Sequence, residues 1–112
     1  MTEQKKQMII PRYKMIVTYD MTPESQAEYQ QFILGEFVPQ LQEMGVYMLE
    51  VWHTVYGDYP MRMISFVTEE YSTIRSLFES EEWEELEAQL LSFVSNYSVK
   101  VVRYRPGFQF TR

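Results

Sequence analysis

A chain of 112 residues, 46% apolar and 23% charged, is long enough to bury a real core and too apolar to stay disordered. Sixteen acidic residues against ten basic ones leave a net charge of −6, which argues against a nucleic-acid partner, and the absence of cysteine excludes disulfides and thiolate chemistry. No apolar run approaches the ~20 residues of a membrane span and no secretory leader pattern opens the chain, so a cytoplasmic protein is expected.

Residues 1–10 are polar up to Met8-Ile9-Ile10 and read as a loose arm, and residues 11–112 read as a single domain. Arg12 to Asp20 is rich in β-branched and aromatic residues and is the first strand. Thr22 is placed to cap a helix, with Pro23 at its first position and Glu24 complementing its dipole. Tyr29, Phe32, Ile33, Phe37, Leu41 and Met44 then recur at three- and four-residue offsets, the apolar face of that helix. Pro39 interrupts it, because it has no N–H for the carbonyl of Gly35, and a kink is expected near Gly35–Pro39 with Gly45 closing the helix.

Val46 to Tyr56 and Tyr59 to Val67 are two strands joined by Gly57-Asp58, a two-residue hairpin turn signal. Thr68 to Val94 is helical in two pieces, with Ser80 as a fresh cap and Trp83, Leu86, Leu90, Leu91 and Val94 as the second apolar stripe. The acidic run Glu79–Glu87 is the solvated side of that helix. Tyr97 to Arg105 is the fourth strand, ended by Pro106-Gly107. The order β-α-β-β-α-β predicts an α+β ferredoxin-like fold, a four-stranded antiparallel sheet with two helices on one face.

Two helices cover one face of such a sheet, yet the hairpin strands are oily on both. With Gly57-Asp58 as the turn, Leu49, Val51, Val55, Ile64 and Phe66 share one face, with His53 and Arg62 at its end. Met48, Trp52, Tyr56, Met61, Met63 and Val67 share the other, interspersed with Glu50, Thr54 and Ser65. An exposed face of that kind predicts a homodimer that buries it, with the Phe108–Phe110 tail reaching to the partner.

The run from Glu50 through Trp52 and His53 to Gly57, followed by Arg62, resembles the central hairpin of the NIPSNAP family. Ser80-Glu81-Glu82-Trp83 resembles the start of that family's last helix segment, and Val38-Pro39-Gln40-Leu41 its proline in helix one. The resemblance covers about Tyr13 to Val102. It departs at His53 and at Ser80-Glu81, which stands where the family has Asp-Pro. It implies the dimeric α/β barrel superfamily, which also holds cofactor-free monooxygenases, haem-degrading enzymes and isomerases.

His53, the one histidine, is a candidate general base and faces Arg62. The blander reading, a polar residue at the sheet's end, carries more weight. Glu50, Trp52, Tyr56, Met63 and Ser65 form the candidate ligand-binding set, since a few polar groups in an apolar lining suit a small-molecule pocket. The competing reading is that Glu50 and Ser65 satisfy each other at the dimer interface. Arg103 and Arg105 are expected to pair with the acidic helices. No metal site and no cofactor are expected, because one histidine stands without carboxylates at ligand spacing.

The leading functional reading is a NIPSNAP-like homodimer binding a small hydrophobic or aromatic molecule in a pocket between sheet and helices. The alternatives are a cofactor-independent monooxygenase or isomerase using Glu50, His53 and Arg62, and a structural or interaction module without a ligand.

Overall fold

Alternation along the first strand sets the layers. The computed structural model describes residues 9–21, 23–56 and 59–105, with 54–56 and 59–60 described as strand alone. In β1 (Tyr13–Met21) Met15, Val17, Tyr19 and Met21 are buried, and their alternating neighbours point to the opposite face. β2 (Tyr47–Tyr56), β3 (Tyr59–Thr68) and β4 (Val94–Arg103) complete one antiparallel sheet in the order β2-β3-β1-β4. This is the predicted ferredoxin-like α+β fold, with β1 and β3 central and the hairpin partner β2 at one edge.

The first crossover begins with a single 3₁₀ turn at Pro23–Ser25, followed by α1 (Gln26–Phe32), a π-helical turn at Ile33–Phe37 and α2 (Val38–Glu43). Thr22, the expected cap, lies outside the described residues. The π turn is the kink expected from Pro39. A proline N cannot bond the carbonyl of Gly35, and the chain widens so that Val38 N–H donates to Ile33 O instead. The apolar face survives the widening: Tyr29, Phe32, Ile33, Phe37 and Leu41 are all buried. Gly45 ends the segment at φ +89°, a conformation costly for residues with a Cβ, and its carbonyl accepts from Thr68 Oγ1 at 2.8 Å.

The second crossover is α3 (Tyr71–Phe78) and α4 (Glu81–Leu91). Ser80 separates them as expected. Its Oγ accepts from Trp83 N at 3.1 Å and donates to Leu77 O at 2.7 Å, so one hydroxyl starts one helix and ties off the other. Glu81, Glu82, Glu84 and Glu85 are exposed, the solvated side that the acidic run predicted. Glu87 instead accepts from Tyr97 Oη at 2.7 Å, and burial together with that bond pushes the Tyr97 phenol well above its ordinary value.

Two boundaries differ from expectation. The helix stops at Leu91, and Val94 opens β4 opposite Met21, because the turn Ser92-Phe93 returns the chain at once to the sheet. β4 ends at Arg103, two residues before the expected end. Its pairing with β1 slips between Thr18 and Asp20, where Asn96 takes φ 53°. The Gly57-Asp58 turn, the N-terminal arm up to residue 8 and the Phe108–Phe110 tail lie outside the described residues, although Tyr56 pairs with Tyr59 as a two-residue connection requires.

The core lies between sheet and helices. Phe37 meets both Phe66 of β3 and Trp83 of α4 with ring centroids 6.0 Å apart, joining the layers. Among the described residues, the strands' other face carries no helix.

Candidate functional site

The register settles which residues share a face. Tyr47 pairs with Val67 and Met48 with Phe66. One residue is then inserted, and Glu50 pairs with Ser65, Trp52 with Met63 and His53 with Arg62. The bulge at Leu49 has a consequence that simple alternation misses. It moves Met48 to the helix side with Phe66, so Met48 does not join Trp52 as the unbroken pattern predicted.

On the face away from the helices stand Glu50, Trp52, Met61, Met63, Ser65 and Val67, with Lys14, Ile16 and Thr18 of β1 beside them. Four of the five expected ligand-binding residues, Glu50, Trp52, Met63 and Ser65, are thus brought together. Tyr56 belongs to the same strand parity, but its side chain lies outside the described ones. The expected pocket between sheet and helices needs correction. These residues turn away from that space, which the aromatic and aliphatic core occupies. Two of them, Trp52 and Met63, line an open hollow of about 290 Å³ on the bare sheet together with Thr18, Met61 and Arg62. Trp52 is 56% exposed and Met61 45%, while Ser65 beneath them is fully buried.

A small polar network sits beside the hollow. Ser65 Oγ donates to Glu50 Oε1 at 3.1 Å, and Lys14 Nζ lies 3.4 Å from the same oxygen. Partial burial opposes ionisation of Glu50. The Ser65 hydroxyl, the Lys14 charge and a hydrogen bond from Trp52 outweigh it and hold the carboxyl below its usual range. Glu50 is therefore a carboxylate whose proton affinity is weakened, the opposite of what a general base acting near neutrality requires. Lys14 is the partner that sequence reasoning missed. Its signal was the parity of β1, which puts Lys14 on the bare face.

His53 and Arg62 occupy the other face. Arg62 pairs with Tyr19 on β1 and with His53 on β2, and Tyr19 is part of the buried core. The sheet itself separates Glu50 from His53 and Arg62, so the three candidate catalytic residues do not form one constellation. Arg103 and Arg105 are exposed, and the ion pairs expected of them with the acidic helices are not formed. Among the described residues the one ion pair within 4 Å is Lys14–Glu50. No group of three His, Asp or Glu side chains at metal-binding spacing occurs among the described residues, and no described helix is long and apolar enough to cross a membrane.

No protein-family model matches the chain, and no curated protein matches it. Solved structures do. An uncharacterised NIPSNAP domain protein from Burkholderia xenovorans aligns at a TM-score of 0.62 and 12% identity, over 85% of this chain and 94% of that one. An antibiotic biosynthesis monooxygenase candidate from Deinococcus radiodurans aligns at 0.69 and 9% identity, over 89% and 99%. A monooxygenase of Streptomyces coelicolor solved with the ligand nanaomycin D aligns at 0.65 and 16% identity, over 88% and 92%. At such identities the likeness is one of fold: the fold of NIPSNAP proteins and monooxygenase-like members of the dimeric α/β barrel superfamily.

Proposed function

Proceeding from that shared fold, we propose that the chain is a homodimeric small-molecule-binding protein whose two bare sheet faces close on each other and hold a hydrophobic or aromatic ligand beside Trp52. The observation that carries this reading is the hollow of about 290 Å³ beside a half-exposed indole on a sheet face without helical cover. An apolar lining with a few fixed polar groups is the usual make-up of a ligand site. Here Glu50, fixed by Ser65 and Lys14, supplies the polar end.

Charge supports a second copy as the cover. Within the strands, this face carries Lys14 and Lys100 against Asp20 and Glu50, so it is neutral in a chain of net charge −6. Two copies therefore repel through their acidic helical sides and meet without penalty through their sheets. A two-fold interface must be complementary to itself, and a balanced patch meets that condition where a single-sign patch does not. Trp52, Met61 and Val102 supply the apolar area.

The test is native mass spectrometry of dialysed protein together with titration of a hydrophobic fluorophore. A co-purified or added apolar molecule bound by the wild type and lost in Trp52→Ala, with the fold intact by circular dichroism, supports the reading. No bound molecule and no fluorophore uptake contradict it.

A further inference from the structure

On the helix side, one row of residues crosses the sheet: Tyr19 on β1, Arg62 on β3 and His53 on β2, each the register partner of the next. Cross-strand partners on one face have Cβ atoms about 4.5–5.5 Å apart, so the three side chains are neighbours. Tyr29 of α1 covers the inner end of the row.

Three features of this row have no role in the packing around them. The Tyr19 and Tyr29 hydroxyls are hydrogen-bonded to each other, and both residues are at most 2% exposed. One O–H is used in that bond. The O–H of the acceptor has no acceptor of its own among the described residues, although buried donors are normally satisfied. Arg62 lies over the Tyr29 ring, with Cζ 5.3 Å from the centroid. In a chain with sixteen acidic residues, this half-buried arginine has no carboxylate within 4 Å among the described residues. His53, exposed on the edge strand, adds a third donor, and a second cation when protonated. The cluster is rich in donors and carries a permanent positive charge at Arg62.

We propose that this row binds the carboxylate of a small organic acid. Arg62 supplies the charged fork, the spare tyrosine hydroxyl a third hydrogen bond, and His53 closes the outer side. A planar pair of oxygens with one charge matches a guanidinium fork. Burial and the neighbouring Tyr29 push the Tyr19 phenol far above its ordinary value and keep it protonated. Trp52 and Glu50 belong to the opposite face of the sheet and supply no donor to the row, although Arg62 also lines the hollow beside Trp52.

Full-length protein titrated with benzoate, and separately with benzamide and with inorganic phosphate, is followed by NMR at the His53 ring and the Arg62 side chain. Benzoate is expected to shift both signals saturably with a Kd on the order of 1 mM, the range open to a ligand of its size. Benzamide, the same shape without charge, and phosphate should bind at least about tenfold more weakly. Arg62→Gln should weaken benzoate by about tenfold or more, and Tyr29→Phe by several-fold. Arg62→Lys keeps a charge and loses the fork, and should fall between, which separates a lost contact from a disturbed fold. Benzoate producing no saturable shift at His53 and Arg62, or benzamide binding as well as benzoate, overturns the proposal.

Discussion

Ser65 on β3 and Glu50 on β2 are joined by a 3.1 Å hydrogen bond immediately after the bulge that shifts the register of the hairpin. Alternation from the hairpin connection puts Glu50 on the same face as Ser65, the register slips only beyond that pair, and Lys14 of β1 reaches the same carboxylate oxygen. Three strands thus contribute one residue each to a polar network in the middle of a largely apolar face.

The network has a pH signature. Although partial burial opposes its ionisation, Ser65 and Lys14 hold the Glu50 carboxyl below its ordinary value of 4.5 in the folded protein. A group with a lowered folded value contributes stability that is present above the ordinary value and is lost as the pH falls through the lowered one. The stability difference between wild type and Glu50→Gln should therefore be constant near neutrality and shrink below about pH 4.5, measured by urea unfolding across that range. A difference that stays the same as the pH falls far below 4.5 would show that the carboxylate charge is not what the network uses.

Ser80 serves two helices with one hydroxyl, capping α4 through Trp83 N–H and tying off α3 through Leu77 O. Loss of an N-cap side chain costs about 1 kcal/mol. For a domain of this size, Ser80→Ala should lower Tm by about 4–8 °C, and Ser80→Asp should recover most of that through the capping oxygen. Calorimetry reads the outcome. An unchanged Tm for Ser80→Ala would mean that the packing of Trp83 alone fixes where α4 begins.

The Tyr19–Tyr29 hydroxyl pair is buried and internally bonded. Removing one hydroxyl leaves the other without its partner, whereas removing both leaves no polar atom to satisfy. Each single change to Phe should cost about 1–2 kcal/mol, and the double change should cost no more than the larger single one. A double-mutant cycle in denaturant measures this coupling. Strictly additive costs would show that the two hydroxyls do not depend on each other.

Much of the fold was legible because its signals are local. Proline at 39 forced a helical irregularity, glycine at 45 took a positive φ, and serine at 80 capped a helix, each for reasons confined to a few neighbouring residues. The face of His53 and Arg62 was also readable, since alternation runs unbroken from the hairpin connection to that pair. Met48 was misplaced because a bulge adds one residue without leaving a composition signal, and every position beyond it changes side. Val94 was misread as helix because a valine at helical spacing from Leu90 satisfies either period, and only pairing with Met21 decides between them. The Lys14–Glu50 contact and the Tyr19–Tyr29 pair join residues far apart in sequence, so strand parity could place Lys14 on its face but no local pattern named the partners.

The account depends most on what covers the bare face of Trp52, Met61 and Met63, and sedimentation velocity over a dilution series tests it most directly. A species of twice the 13.6 kDa chain mass should persist into the low micromolar range, and Trp52→Glu should dissociate it while leaving the circular dichroism spectrum unchanged. A wild-type chain that sediments as a stable single subunit at every concentration would contradict the account.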